Sequence, residues 1–456
     1  MKFLPVWIAA LMFYCIPAHA GQGKYWIYFH DKGPASSLNA TAPDLGARAL
    51  QRRSKVLPSG SLIQPEDFPL HAPYLETLEA LDVSVVTTSR WMNAVSVIVP
   101  EETLPTVASL PFVDRVVPVR KVSRGTPPVT AEDQGAMAGG GSAASSTSGT
   151  TELDYGPSFA QLDAVRVPAV HALGITGCNV VVGLLDSGFR WRGHRSLAGM
   201  HVLKEYDFIS RDGDTADGPG DPPGEDFHGT LVLSVLGGYA PGRLIGPAFG
   251  SEYLLAKTEY EPTETQVEED YWAAGIEWLE ANGADVINSS VGYDTWDNGS
   301  GYSWGNGDFD GKTSVVAKAA QRAARLGVVL CVSMGNEGNG DGVTGTMLTP
   351  ADVDTAISVG AASFDGLLST SSSTGPTSDG RFKPDVTAPG VGVYSASTGG
   401  FDSYTYQSGT SLSSPMAAGA AALLLSARPE LTPVQVRDIV RASAELLAQA
   451  VETFVD

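Results

Sequence analysis

The spacing of apolar positions changes character twice along the chain. Up to about residue 121 the apolar runs are short and mixed. Tyr25–Phe29 reads as a strand, Asp82–Val86 and Asn93–Val99 alternate as strands, and Phe112–Val119 gives a last one. Between them, Leu45–Val56, with Arg48, Arg52, Arg53 and Lys55, reads as a basic helix. Pro73–Leu81 reads as another, and Glu101–Leu110 as a third with acidic residues in its first turn. With the two helices after the first strand taken as one connection, the order β-α-β-β-α-β predicts a small ferredoxin-like α+β domain.

From Gly125 to Thr151 no apolar period survives. Pro127-Pro128, Gly139-Gly140-Gly141 and many Ser, Thr and Ala residues predict a flexible linker open to proteolysis. From Glu152 onward strands and helices alternate. Pro168–Leu173 reads as a short helix. Asn179–Leu185 is a continuous apolar run, as expected of a parallel strand buried on both faces. Tyr253–Ala256, Asp285–Asn288 and Val328–Ser333 are further strands, the last two preceded by helical stretches at Glu268–Asn282 and Ser314–Leu326. This predicts a doubly wound, mainly parallel sheet flanked by helices, with its site outside the carboxyl ends of the strands.

One helix stands apart. Met416–Leu425 is apolar nearly all round, which predicts burial. Gly409-Thr410-Ser411-Leu412-Ser413-Ser414-Pro415 supplies its start: hydroxyl residues able to cap, and a proline whose missing N–H costs nothing in a first turn. Alone, this stretch reads equally as a capped core helix or as a nucleophile facing backbone N–H donors.

Composition adds the compartment and the charge. Met1–Ala20 has one lysine, an apolar run from Phe3 to Ile16, and Ala18-His19-Ala20 before Gly21: a secretory signal peptide cleaved after Ala20. No later segment is long and apolar enough to suggest a membrane span. Cys15 falls in the signal, and Cys178 and Cys331 read as buried small side chains rather than a disulfide framework. The net charge of −22 is unevenly spread. The first 124 residues hold 12 basic and 10 acidic groups, and the remainder 17 and 41. So acidic a body repels nucleic acid and anionic membranes.

Polar residues gather where the strands end. Asp186 closes the Asn179–Leu185 run, Ser290-Val291-Gly292 follows Asp285–Asn288, and Gly335-Asn336-Glu337-Gly338 follows Val328–Ser333. His228-Gly229-Thr230 opens the apolar helix Leu231–Leu236. With Ser411 these supply a nucleophile, an imidazole to take its proton, a carboxylate to fix the imidazole, and an amide to hold an oxyanion.

With these motifs, in the order Asp, His, Ser, the chain resembles the subtilisin-like serine proteases, the subtilases. The carriers are Leu185-Asp186-Ser187-Gly188, His228-Gly229-Thr230, Gly335–Gly338, Lys383–Gly390 and Gly409–Pro415, spanning about Tyr155 to Leu447. The resemblance implies Asp186, His228 and Ser411 as a triad and Asn336 as the oxyanion donor. It also implies that Ser290 and Gly292 pair with substrate backbone beside Gly335 at the primary pocket. Residues 21–124 would be an inhibitory, chaperone-like propeptide, 125–151 its cleaved linker and 152–456 the catalytic domain. A secreted, monomeric endopeptidase acting on polypeptides through an acyl-enzyme follows. The alternative is a catalytically inactive extracellular scaffold on the same fold.

Departures and weaker signals complete the expectations. Ser413 stands where the family more often has alanine, and the usual closing segment with Gly and Asn-Ala is missing before Asp456. No cofactor is required for the chemistry. Asp212, Asp214, Asp217, Asp221, Glu225 and Asp226 offer hard oxygens for structural calcium but lack a specific spacing, so an acidic surface loop is expected, and no metal ligand is assigned. Glu259, Glu261, Glu264, Glu268, Glu269 and Asp270 are expected to form a solvated edge, and Trp296–Phe309 a surface loop. Leu348 suggests a modest apolar primary pocket.

Overall fold

The computed structural model describes residues 22–34, 43–119, 153–296, 300–340 and 344–444; the signal-peptide and linker readings fall outside them. The first unit contains β1 (Gln22–Phe29), α1 (Ala47–Arg53), α2 (Ala72–Glu79), β2 (Ser84–Ser89), β3 (Ala94–Pro100), α3 (Leu104–Ala108) and β4 (Val113–Pro118). Its sheet runs β2-β3-β1-β4 with every neighbour antiparallel, the expected ferredoxin-like arrangement. Helix α3 starts later than expected, beyond Glu101 and Glu102, with Pro105 in its first turn. Ile27, Leu78, Val95, Val97 and Val99 are wholly buried in its core.

The second unit opens with α4 (Phe159–Asp163), α5 (Val167–His171) and β5 (Val181–Asp186), followed by β6 (His201–Asp207) and α6 (Phe227–Gly237). A short hairpin, β7 (Tyr239–Ala240) and β8 (Leu244–Ile245), leads to β9 (Glu252–Lys257), α7 (Val267–Ala281) and β10 (Val286–Ser289). Then come α8 (Val315–Arg325), β11 (Val329–Ser333), β12 (Ile357–Ala362) and β13 (Val386–Pro389). The hairpin of β14 (Val393–Ala396) and β15 (Tyr404–Gln407) precedes α9 (Thr410–Ala427) and α10 (Pro433–Ser443). Seven strands form one parallel sheet in the order β13-β12-β11-β10-β5-β9-β6.

Alternation along the strands builds two cores. Val182, Leu184, Leu255 and Val329 face α6 and α9, while Val181, Leu185, Leu254 and Leu330 face α7 and α8. A strand buried on both faces has no polar side to show, hence the unbroken apolar runs. Among the described residues α9 alone is long and apolar enough to cross a membrane, and it lies in the core of the fold.

The two units pack together across α7 and α8. Trp91, from the first unit, joins the core cluster of Trp272, Ile276 and Ala320. Charge finishes the contact. Arg53 is fully buried and bridges Asp67 of its own unit (2.6 Å) to Glu280 (2.8 Å). Arg52 also pairs with Glu280, and its guanidinium donates to the carbonyls of Ala284 and Leu326, at the carboxyl ends of α7 and α8. Cations are favoured at such helix ends. Lys24 and Ser96 both reach Asp270 Oδ2 at 2.5 Å.

The solvated-edge expectation holds for Glu261 and Glu264, which are exposed, and is corrected for the rest. Glu259, Glu268, Glu269 and Asp270 are buried: Asp270 lies under Lys24 and Ser96 of the first unit, Glu269 accepts from the Tyr302 hydroxyl and Glu259 from that of Tyr293. Cys331 is buried in β11, but Cys178 is exposed, in the turn before β5 rather than in the strand. Trp296 and Phe309 are buried too, so the ends of that stretch anchor in the core while Trp304 faces solvent.

Candidate active site

Three strand ends and two helix starts converge. Asp186 is the last residue of β5 and is fully buried. His228 is the second residue of α6, and its Nδ1 lies 2.7 Å from Asp186 Oδ1. That close approach requires Gly229: a Cβ there would come within 2.1 Å of the Gly188 carbonyl and 3.1 Å of the Asp186 side chain. The same carboxylate oxygen accepts the Ser187 N–H at 2.8 Å, which fixes the group against the strand end.

Ser411 is the second residue of α9, so it sits where backbone N–H groups have no helical partner. Helix α9 packs along α6, the helix that carries His228. Gly409, at φ +153°, turns the chain into the helix. A Cβ on it would lie 3.2 Å from Ser411 Oγ and 3.5 Å from Asn336 Nδ2, blocking the space the two share. Asn336 is oriented from the same turn: its Oδ1 accepts from Thr410 N (2.9 Å) and Thr410 Oγ1 (3.1 Å), and the exposed amide turns its N–H₂ outward. Thr410 Oγ1 in turn accepts from the Gly335 N–H at 3.2 Å.

Pro415 is not where the sequence suggested. The helix already begins at Thr410, which makes Pro415 its sixth residue, inside the helix. Its absent N–H leaves the Ser411 carbonyl without the usual i→i−4 donor. Ser290 Oγ takes that place, donating to Ser411 O at 2.8 Å. Behind it, Asn288 Nδ2 donates to Ser290 Oγ (3.0 Å), and Ser414 Oγ donates to Asn288 Oδ1 (2.7 Å). The hydroxyl of Ser290 is therefore turned into the helix, and the Ser290–Gly292 stretch has its backbone to offer a ligand. Asn288, Ser414 and Thr410 were missed in the sequence. The visible signal for Asn288 was one amide ending an otherwise apolar strand.

The acidic loop after β6 folds inward as well as outward. Asp207, Asp221 and Glu225 surround the buried Nζ of Lys257 at 3.2, 2.9 and 2.9 Å. Arg190 ties Asp217 and Asp226 together beside them. The negative charge near His228 is thus partly neutralised by the chain's own cations. Glu259, just after β9, is held by Tyr293 Oη (2.6 Å) and Thr258 Oγ1 (2.9 Å), and burial pushes its carboxyl up to about 8. An open cavity of about 280 Å³ lies alongside, lined by Pro222, Glu225, Phe227, His228, Glu261 and Pro262. His171 and His194 are buried elsewhere with backbone carbonyl partners.

The structure therefore bonds Asp186 to His228, and Asn336 to Thr410 beside Ser411, at one edge of the sheet. The chemistry on offer at this edge is an imidazole oriented by a buried carboxylate, a hydroxyl at a helix start and an amide whose oxygen is committed. The sequence profile described as the subtilase family matches residues 177–454, and that of the peptidase S8 propeptide domain, Bacteroidota, matches residues 24–134. Subtilisin E of Bacillus subtilis (strain 168) is 31% identical over 63% of this chain, which spans 66% of that protein. The subtilisin of Bacillus pumilus is 31% identical over 63% of this chain and 92% of its own length. A solved protease of Pseudoalteromonas arctica PAMC 21717 shares the fold, with a TM-score of 0.51 and 23% identity over 65% of this chain and 93% of that one.

Proposed function

We propose, on the premise that the chain belongs to the subtilase family and carries its propeptide domain, that it is an exported serine endopeptidase made as a precursor. Ser411 attacks the carbonyl of a peptide bond and forms an acyl-enzyme, which water then hydrolyses. His228 takes the hydroxyl proton and returns it to the leaving amine, and Asp186 fixes the imidazole tautomer and stabilises its cation. Asn336 Nδ2 and the N–H groups opening α9 hold the oxyanion. The backbone of Ser290–Gly292 pairs with the substrate, whose side chain enters beside Gly335. The residues before the linker act as inhibitor and folding aid until the chain is cut between Val122 and Thr151. Residues 1–20 direct export.

The observation that carries this reading is the 2.7 Å contact of His228 Nδ1 with a wholly buried Asp186. In an imidazole whose Nδ1 is held by a carboxylate, Nε2 is the nitrogen that acts as base toward a hydroxyl. The test is labelling by a fluorophosphonate probe after linker cleavage. Labelling that disappears in Ser411→Ala is the expected result. A processed, folded protein that stays unlabelled would overturn the enzyme reading in favour of a scaffold.

A further inference from the structure

We infer that Leu348 closes the primary pocket, so that the peptidase cuts after residues with small side chains. The inference rests on the protease reading above and names its substrate class. The two segments that would flank a bound acyl group are Ser290–Gly292, after β10, and Gly335–Asn336, after β11. Leu348 lies between them. A Cβ on Gly335 would stand 2.7 Å from Leu348 Cγ, and one on Gly292 would stand 2.9 Å from Leu348 Cβ. Both glycines thus rest directly on the isobutyl group, and the depth between the two segments is already filled.

The backbone that carries the leucine is fixed. Its N–H donates to Met334 O at 3.1 Å, and the next residue, Thr349, exchanges backbone hydrogen bonds with Tyr293 at 2.8 and 3.0 Å. Met347 and Thr349 on either side are buried, while Leu348 itself is half-buried, with part of its surface left on the cleft. The far wall is closed as well: Ser373 N donates to Gly335 O (2.9 Å), and Ser373 Oγ accepts the Glu337 N–H (2.9 Å). A close-packed interior yields little when a larger group is forced in. A methyl side chain fits above the leucine; a benzyl or isobutyl one meets it.

The experiment compares kcat/KM on peptide anilides that differ only in the residue before the scissile bond: Gly, Ala, Leu, Phe and Lys. The enzyme is the processed protein, with active sites counted by fluorophosphonate labelling. Alanine should be preferred over phenylalanine by about 10-fold or more. Leu348→Gly should raise kcat/KM for phenylalanine by roughly 10–200-fold and move that for alanine much less. Leu348→Ala should give the same change of order, reduced, and stands in if the glycine variant does not fold. A labelled wild-type enzyme that prefers Leu, Phe or Lys overturns the inference, as does an unchanged order in labelled variants. Loss of labelling in the wild type overturns the protease reading instead, and this inference with it.

Discussion

The hydroxyl of Ser290 donates to the main-chain carbonyl of Ser411 at 2.8 Å, and it does so because Pro415 cannot. The backbone of Ser411, the proposed nucleophile, is thus held by a side chain from the segment after β10. Ser290→Ala should destabilise the protein by about 1–3 kcal/mol, the cost of stranding a buried acceptor. In the double variant Ser290→Ala/Pro415→Ala, an alanine N–H can reach Ser411 O and recover part of that loss. Thermal unfolding in a Ser411→Ala background, which prevents self-digestion, measures both. If the double variant is no more stable than the sum of the single changes, the two residues are not coupled as argued.

Ser413 presents the opposite case. Its hydroxyl is fully buried and has no hydrogen-bond partner among the described residues. A buried hydroxyl left unpaired costs more than a methyl in its place. Ser413→Ala should therefore raise stability by about 1 kcal/mol, or roughly 2–4 °C in Tm. A drop in Tm would mean that the hydroxyl has found a partner in solution.

Asn336 has its oxygen committed to Thr410, so its remaining role is that of a donor. Asn336→Leu should lower kcat by about 10²–10³ with little change in KM, since the oxyanion exists only after attack. A variant that raises KM and keeps kcat would place the amide in ground-state binding instead.

Much of this was legible from the chain because β5, β9, β10 and β11 are buried on both faces and leave unbroken apolar runs. The other three strands of the seven-stranded sheet were not. β6 carries exposed His201, Leu203 and Lys204 at the sheet edge, β12 is built partly of Ser358 and Gly360, and β13 is four residues long. None of them has a period to read. The site motifs were visible as polar residues at strand ends and helix starts, and the structure bonds Asp186 to His228 and Asn336 to Thr410, the neighbour of Ser411. The misreading of Glu268, Glu269 and Asp270 as a solvated edge has a plain cause. Carboxylates on a helix look solvent-facing until another unit, here one with Lys24, Ser96 and the Arg52–Arg53 pair, covers them. Non-local partners of that kind leave no mark in local sequence.

The Arg52–Arg53–Glu280 network sets the strength of that covering. Removing Glu280 leaves two buried guanidinium groups facing each other without their shared carboxylate, whereas removing one arginine leaves the other paired. Glu280→Ala should weaken docking of the first unit by about 3–5 kcal/mol. Inhibition of the processed enzyme by the added propeptide domain measures it. Equal inhibition of the wild-type and Glu280→Ala enzymes by the added domain would show that the network contributes nothing to docking.

The same contact should loosen as pH rises. Glu277 on α7 is buried under the first unit, facing the Ser89 hydroxyl, the Arg90 side chain and the N–H groups of Arg90 and Trp91. Burial pushes its carboxyl up to about 7, against the lowering pull of Ser89 and Arg90. Once the first unit departs the group meets water, and its pKa falls back toward the ordinary carboxylate range. Docking therefore binds a proton over the interval between the two values. The stabilisation is complete below the free value, declines as pH climbs, and is gone above about 7. One such group weakens inhibition by at most about tenfold per pH unit across that window. Inhibition constants of the separated propeptide domain from pH 5 to 8 should show this slope, and Glu277→Gln, which carries no titratable proton, should flatten it. A variant that keeps the full slope would assign the titration to another group, with Glu269, which burial pushes up to about 8, the next to be tested.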